Sequence, residues 1–348
     1  MKISILGDIA LDKSVNTTNA VSEALVDRIV IANLEGPIKS DFSAAIKTGP
    51  TLGSDLQPLK ELLSDLNVSV LMCANNHIGD YGEQGIEYTY NQLNLLDIDS
   101  FGYKSKVFKW LEDSNGKAPN IQIINMCDVE WGTDRDFYNG AISFDFSKLN
   151  NAINLSDKNS FRIVVLHDGK EYHELPSPEL RKLCHNIIDM GVDVIICQHS
   201  HVVGYVEMYK NAKIYYGTGS FCLEKKGPMS NKIYNSISVN IDLDQDFNPY
   251  ISETFFVNKN GAIDVSKPTK LKDLKDLKME DYKEYWDNEF KKKSYLYVGV
   301  LMGHSNKMIR ILNSLGFYKL IMSKRGLRKI KNVVRSRAHR EYITNMKL

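Results

Sequence analysis

Five short polar clusters contain the residues of this sequence that could do chemistry, and each follows a hydrophobic run. The clusters are Gly7-Asp8, Asn33-Leu34-Glu35, Asn75-Asn76-His77, His167-Asp168-Gly169 and His199-Ser200-His201. In an α/β protein, side chains at the ends of neighbouring strands converge at one edge of the sheet. Imidazole and carboxylate ligands together favour zinc, manganese or iron over calcium. This set of potential ligands therefore predicts a metalloenzyme that holds a pair of divalent cations.

Taken singly, members of these clusters have simpler interpretations. Asp8 alone is typical of a helix cap or a turn, and Glu35 alone is typical of a solvated surface charge. An Asn-rich turn would explain residues 75–77 equally well, and a lone histidine such as His167 is more often a core or surface residue. The last cluster favours metal binding, because two imidazoles two residues apart lie on the same side of an extended backbone.

The hydrophobic runs around these clusters predict alternating strands and helices up to about Val257, as expected of an α/β architecture. Strands are predicted at residues 3–6, 29–33, 68–72, 121–126, 162–166, 193–197, 213–216, 234–241 and 251–257. Helices are predicted at residues 56–66, 85–95 and 177–190, the last with Pro178 in its first turn. Most of the polar clusters directly follow one of these strands.

Beyond these elements the pattern changes. Residues 258–279 alternate Lys and Asp around Gly261 and Pro268, which is typical of a solvated linker. Residues 280–348 show helical spacing of apolar residues, interrupted by glycines. The sequence therefore predicts a first domain over 1–257, a linker over 258–279 and a mostly helical, basic C-terminal extension over 280–348.

Charge is distributed unevenly along the chain. The whole sequence has 44 Lys and Arg against 43 Asp and Glu, but residues 289–348 have fifteen Lys and Arg against two Glu. The extension therefore favours anionic partners. It could bind an anionic membrane surface, dock on a partner or an acidic polymer, or pack on the main domain as a helical cap. Nucleic acid is not an expected partner, since no recognition motif accompanies the charge.

The chain is expected to be cytoplasmic, in peripheral contact with a membrane at most. Its five cysteines lie in or beside apolar segments without zinc-ribbon spacing, and an odd number argues against a disulfide framework. The first predicted strand follows Met1 and Lys2 at once, which leaves no room for a signal peptide. No apolar run is long enough to cross a bilayer.

Three segments resemble the CapA family of bacterial capsule-synthesis proteins, also called the poly-γ-glutamate biosynthesis family. Residues 74–85, residues 167–172 with Pro176, and residues 191–202 agree with that family in order, spacing and type. The resemblance extends over residues 1–224. It implies a calcineurin-type metallophosphoesterase domain, which is a four-layer α/β/β/α sandwich with a dinuclear metal site.

The resemblance also implies roles for single residues. Asp8 and His201 would hold one metal, Asn76, His167 and His199 the other, and Glu35 would bridge them in place of the usual phosphoesterase aspartate. His77 would be the acid or electrostatic partner of the departing group, with a metal-activated hydroxide as nucleophile. Residues expected to support these groups without binding metal are Asn33, Asn75, Asp80, Asp168, Glu171 and Ser220.

The sequence departs from the family pattern at three places. Ala10 stands where phosphoesterases usually have a histidine, which predicts looser binding of the first metal. Asp168 replaces the family's tryptophan. It could bind a metal or orient a histidine, but a surface replacement is the favoured interpretation. Ser220 stands in the place of the family's asparagine near the last strand.

Two functions of different class fit these observations. The first is a metal-dependent, phosphoesterase-like hydrolase that acts on an anionic polymer or phosphoester in capsule, exopolysaccharide or polyglutamate synthesis. The second is a non-catalytic accessory protein that serves as a scaffold and contacts other capsule-synthesis proteins. A nucleotide-binding protein is disfavoured, because no Gly-rich phosphate loop follows the first strand.

Overall fold

A computed structural model describes most of the chain. The described residues are 1–47, 50–112, 120–157, 159–223, 235–244, 248–259, 261–302 and 335–345, with the side chains of 292–302, 338 and 343 left out.

The first of two sheets is built around β1 (Lys2–Ala10). Its spatial order is β2 (Asn16–Thr17), β15 (Ala262–Val265), β14 (Pro249–Lys259), β13 (Asn235–Leu243), β1, β3 (Ile29–Leu34), β4 (Val68–Met72) and β5 (Asp99–Phe101). β12 (Ser220–Leu223) also pairs with β1. Strands β1, β3, β4 and β5 run parallel, so their carboxyl ends lie along one edge.

The second sheet has the same arrangement of parallel strands at its centre. Its order is β10 (Val206–Tyr209), β11 (Ala212–Tyr215), β9 (Val194–Gln198), β8 (Phe161–His167), β7 (Ile121–Cys127) and β6 (Phe108–Leu111). Strands β7, β8, β9 and β11 are parallel to one another.

Helices cover the outer faces of both sheets. The described helices are α1 (Asn19–Leu25), α2 (Leu56–Asp65), α3 (Gly82–Leu95), α4 (Phe146–Asn154), α5 (Pro178–Asp189), α6 (Met279–Met302) and α7 (Arg337–Thr344), with a 3₁₀ turn at Leu274–Asp276. Apolar residues of α1, α2 and α3 pack on the first sheet. Residues of α4, α5, α6 and α7 pack on the second.

The layers form because successive side chains along a strand face opposite sides of its sheet. Ile163 and Val165 of β8 share a buried cluster with Ile3 and Ile5 of β1, and this cluster fills the space between the sheets. Val164, the residue between the first pair, faces the helices instead. Strands buried on both faces read as continuous apolar runs, which is why they were predictable. The predicted four-layer α/β/β/α sandwich is confirmed.

Long elements agree with the prediction better than short ones. Helix α5 has Ser177 as its N-cap, whose side chain accepts a hydrogen bond from Leu180 N, and Pro178 in its first turn. Helices α1 and α4 and the short strands β2, β5, β6, β10 and β12 were not predicted, because few residues give a weak periodic signal. The predicted strand 3–6 was too short, since β1 continues to Ala10.

The segment predicted as a linker also differs from expectation. Strand β14 continues to Lys259, and β15 lies within residues 258–279 and pairs with both β14 and β2. The first sheet therefore extends into this segment. The division of the chain into domains stays a prediction.

The C-terminal extension is helical where it is described, in α6 and α7. Residues 303–334, which carry much of the predicted amphipathic and basic pattern, lie outside the described residues. Among the described residues, no helix combines the length and hydropathy that crossing a bilayer requires.

Candidate metal centre

The predicted ligands meet between the two sheets, at the carboxyl ends of parallel strands. Asp8 lies in β1, Glu35 directly follows β3, and His167 is the last residue of β8. Asn76 follows β4, and the cluster 199–201 follows β9. Of the six predicted ligands, only Asn76 is not buried.

Asp8 reaches the centre from within its strand. The pairing of β1 with β3 shifts register between Ile5 and Asp8, and the pairing with β12 shifts just after Asp8. Such irregularities re-aim a side chain. Gly7 allows the close approach of β12, because a Cβ at this position would collide with the carbonyl oxygen of Gly219.

The backbone at the two histidines of the last cluster is not extended as predicted. His199 has a φ of 79° and His201 a φ of 57°, both in the left-handed region. Histidine enters that region more readily than most residues. The ring centroids of the two imidazoles lie 6.0 Å apart, and the two side chains belong to different groups of potential ligand atoms.

Two groups of side chains could each hold a cation, and they share one residue. Potential ligand atoms of Glu35, His167 and His199 lie within 4.8 Å of one another, and so do those of Asp8, Glu35 and His201. Glu35 therefore stands where a bridging carboxylate would be needed. The resemblance implied metal ligands from these same two groups together with Asn76, and that assignment stays a prediction.

Distances within the groups are short. Asn76 Oδ1 and His199 Nδ1 each lie 3.2 Å from His167 Nε2. Glu35 Oε1 lies 4.0 Å from the same nitrogen and 3.7 Å from His201 Nε2. Burying carboxylates together is costly without a compensating cation. The donor set of imidazoles, carboxylates and an amide oxygen therefore fits a pair of divalent metal ions.

The protonation states also suit metal binding. Burial alone would raise the pKa of Asp8, but the hydrogen bond from His201, the charges of His167 and His201 and the hydrogen bond from Asn33 lower the pKa to about 2. Burial holds the pKa of His167 well below its usual value, although Asp8 opposes this effect. A carboxylate and a neutral imidazole are the forms that bind a metal.

Three of the predicted supporting residues lie against the ligands or their loops. Asn33 Nδ2 donates to Asp8 Oδ1 at 2.8 Å, and Ser220 Oγ lies 3.0 Å from His201 Nδ1. Asn75 Oδ1 accepts hydrogen bonds from the backbone N–H groups of Gly36 and His77. Asn75 thereby ties the loop after β3 to the loop after β4.

The interpretation of Asp168 as a surface replacement was wrong. Asp168 is buried, and it forms an ion pair with Arg337 of α7. A tryptophan could not supply this charge. Glu171, in contrast, lies at the exposed surface, and a supporting role for it stays a prediction.

His77 is placed beside the centre by two charged residues. Its Nε2 lies 4.0 Å from Glu35 Oε1. Its Nδ1 lies 2.8 Å from Asp80 Oδ2 and 2.9 Å from Lys47 Nζ. Burial lowers the pKa of His77, Asp80 raises it and Lys47 lowers it, with a net decrease.

Lys47 and Glu130 are site residues that the sequence did not reveal. Lys47 Nζ lies 2.5 Å from Asp80 Oδ1 in a pair that is almost fully buried. Glu130 Oε2 accepts a hydrogen bond from Asn76 Nδ2 at 3.1 Å, which turns the amide oxygen towards His167. Lys47 belongs to no polar cluster behind a strand, so no local signal marked it. Glu130 does follow β7, as part of Asp128-Val129-Glu130, and this sixth polar cluster was the signal that could have found it.

We expect Lys47→Met to lower the free energy of unfolding by about 3–5 kcal/mol, because it leaves the Asp80 carboxylate buried without its cation. Urea-induced unfolding measures this change. The matched control is Lys210→Met, whose ion pair with Asp189 is exposed and whose loss should hardly change stability. Equal effects of the two substitutions would contradict the prediction.

Two packed sheets with a shared cluster of donors define an α/β sandwich protein with a candidate dinuclear metal centre. The family model for the bacterial capsule synthesis protein PGA_cap matches residues 2–225. That match covers well over half of the chain, so the chain belongs to this family. The predicted membership in the CapA family is confirmed.

Individual relatives match over part of their length. The chain is 30% identical over 207 residues to the PGA biosynthesis protein CapA of Bacillus subtilis (strain 168), covering 56% of this chain and 53% of that protein. It is 24% identical over 235 residues to a probable polyglutamine synthesis accessory protein of Mycobacterium tuberculosis, covering 62% and 61%. Among solved structures, the 5'-nucleotidase precursor of Thermus thermophilus aligns over 74% of this chain and 54% of that chain, at 11% identity and a TM-score of 0.43.

Proposed function

We propose that this chain is a metal-dependent hydrolase of the phosphoesterase type, acting in the synthesis of a capsule, an exopolysaccharide or polyglutamate. The observation that carries the proposal is the position of Glu35, which belongs to both groups of potential ligands. A single carboxylate between two histidine-containing groups is what a dinuclear centre needs. The names of the curated relatives support the biosynthetic setting.

The proposed ligand set is the one that the resemblance to the CapA family implied. Asp8 and His201 would hold one ion, and Asn76, His167 and His199 would hold the other, with Glu35 in common. When bound, a pair of divalent cations lowers the pKa of water and stabilises the negative charge that develops during hydrolysis. Manganese, iron and zinc all suit these donors.

His77 is the proposed acid or electrostatic partner of the departing oxygen. Its Nε2 faces Glu35, and its Nδ1 is held by Asp80 and Lys47 on the side away from the centre. A positioned imidazole of this kind is a common general acid. The charged pair behind the ring keeps it from rotating.

A phosphoester or an anionic polymer is the proposed substrate, and other capsule-synthesis proteins are the proposed partners in the cytoplasm. Peripheral contact with an anionic membrane rests on the basic composition of the extension, of which residues 303–334 lie outside the described part. An accessory role without catalysis is the second candidate. Ala10 favours it, since this buried methyl group offers no ligand where phosphoesterases usually have a histidine.

Metal content and turnover test the proposal together. The full chain, purified without chelators and supplied with Mn²⁺, is expected to hold two ions per molecule and to hydrolyse bis-p-nitrophenyl phosphate. His201→Ala should lose at least one ion and the activity. His185→Ala is the matched control, because His185 stacks on Tyr209 away from the centre. Turnover that is absent in metal-loaded protein would favour the accessory role.

A further inference from the structure

Residues 335–345, here called the C-terminal segment, lie across the loops that follow β7 and β8. The Arg337 guanidinium pairs with Asp168, which directly follows the proposed ligand His167. Arg335 Nη1 donates to Asp136 Oδ1 at 2.7 Å. The first part of the segment is therefore held to the main domain by ion pairs at the edge of the candidate metal centre.

A chain of polar contacts connects the segment to a proposed ligand. Ser336 Oγ donates to Asp128 Oδ2 at 2.8 Å and to Glu130 Oε1 at 3.3 Å. His339 Nε2 lies 3.5 Å from the same Glu130 oxygen. The other oxygen of Glu130 accepts from Asn76, so only one side chain separates the segment from that ligand.

The second part of the segment, which contains Glu341 and Tyr342, is held to the domain by buried contacts. Glu341 is 1% exposed and pairs with Lys170 Nζ at 3.0 Å. Tyr342 packs edge-on against Phe290 of α6, and Lys170 Nζ lies 3.9 Å from the Tyr342 ring centroid. The segment thus has an apolar anchor at its far end and polar contacts at the end near the centre.

The space beside the centre is small. A narrow cleft is lined by Asn76, Asp128, Glu130, His167, Asp168, Gly169 and His199. It is too narrow to hold a water molecule. Three of the lining residues, Asp128, Glu130 and Asp168, are the ones that the segment contacts. A phosphodiester with groups on both sides does not fit.

We propose that the C-terminal segment is an intramolecular cover of the candidate metal centre, and that substrate enters only after its first part has moved. The proposal deepens the proposed function, on which it rests, by assigning an autoinhibitory contact to that site. The contacts that must break are polar, and the side chains on both the segment and the domain can form hydrogen bonds with water once they separate. The anchor at Tyr342 keeps the opened segment on the domain.

Arg337→Glu in the full chain tests the proposal, since it places like charges at the contact with Asp168. Zinc-loaded protein is mixed with an excess of a chromophoric chelator, and the rate of metal transfer is followed. We expect transfer about tenfold faster than in the unaltered chain, because like charges juxtaposed at a contact oppose it strongly. Turnover of bis-p-nitrophenyl phosphate should rise as well.

Two further variants serve as controls. Arg340→Glu makes the same charge change at an exposed position of the same helix, and it should leave the transfer rate unchanged. The double variant Asp168→Lys with Arg337→Glu restores opposite charges and should restore slow transfer. If Arg337→Glu does not fold, Ser336→Asp places a charge against Asp128 and Glu130 and should have the same effect.

Hydrogen exchange of backbone amides in residues 337–344 separates this proposal from the proposed function. Faster exchange in Arg337→Glu supports the cover even if the chain binds no metal, in which case the proposed function alone fails. Unchanged exchange together with unchanged metal transfer overturns the cover. A fall in turnover with metal retained also overturns it, because Arg337 would then assist substrate binding.

Discussion

Replacing Glu35 with glutamine is expected to remove both metal ions and to lower kcat/KM by at least roughly a hundredfold, which is about 2.7 kcal/mol of transition-state stabilisation. Glu35 contributes to both groups of potential ligands, so one substitution weakens both. An amide has nearly the same shape as the carboxylate, and the fold should persist. Metal analysis after desalting and steady-state kinetics measure the two effects.

Glu61→Gln is the matched control for this change, since Glu61 is exposed and forms hydrogen bonds with Ser14 and with Gln57 of α2. It should retain full metal content. A Glu35→Gln variant that still holds two ions per chain would show that Glu35 does not bridge them.

Replacing His77 with asparagine is expected to lower kcat by about 10²–10⁴-fold while the metal content stays at the level of the unaltered chain. His77 Nε2 lies near Glu35 but belongs to neither group of potential ligands. Loss of a proton donor matters most when the departing oxygen is strongly basic. The decrease should therefore be larger for alkyl phosphoesters than for p-nitrophenyl phosphoesters.

His173→Asn provides the control, because His173 contacts Tyr285 of α6 and lies outside the ligand groups. Its kinetics should match those of the unaltered chain. If His77→Asn slowed all phosphoesters equally and also lost metal, His77 would be a structural or ligand residue instead of an acid.

The long elements and the ligand types could be predicted from the sequence because both depend on local patterns. Strand β8 is a continuous apolar run that ends at His167, and the periodicity and Pro178 marked α5. Glu35 and His77 were found because each stands directly behind such a run. A resemblance over residues 1–224 then assigned them separate roles, which the geometry of the centre accommodates.

What the sequence could not reveal depends on contacts between distant segments. Lys47 reaches His77 across 30 positions, and Glu130 reaches Asn76 across 54. Asp168 looked like a surface residue because its partner, Arg337, belongs to the C-terminal extension. The irregular register at Asp8 likewise arises from pairing with two neighbouring strands. No periodicity within one segment encodes these contacts.

The left-handed backbone at His199 and His201 restricts how this centre can change during evolution. Among residues with a side chain, asparagine and aspartate share with histidine a tolerance for that conformation. Both also offer an oxygen to a cation. Substitution at these two positions should therefore be easiest to Asn or Asp, whereas glutamate or cysteine, although good ligands, would add about 1–2 kcal/mol of backbone strain. The backbone conformation, as well as the metal, therefore limits which ligand residues can replace the two histidines.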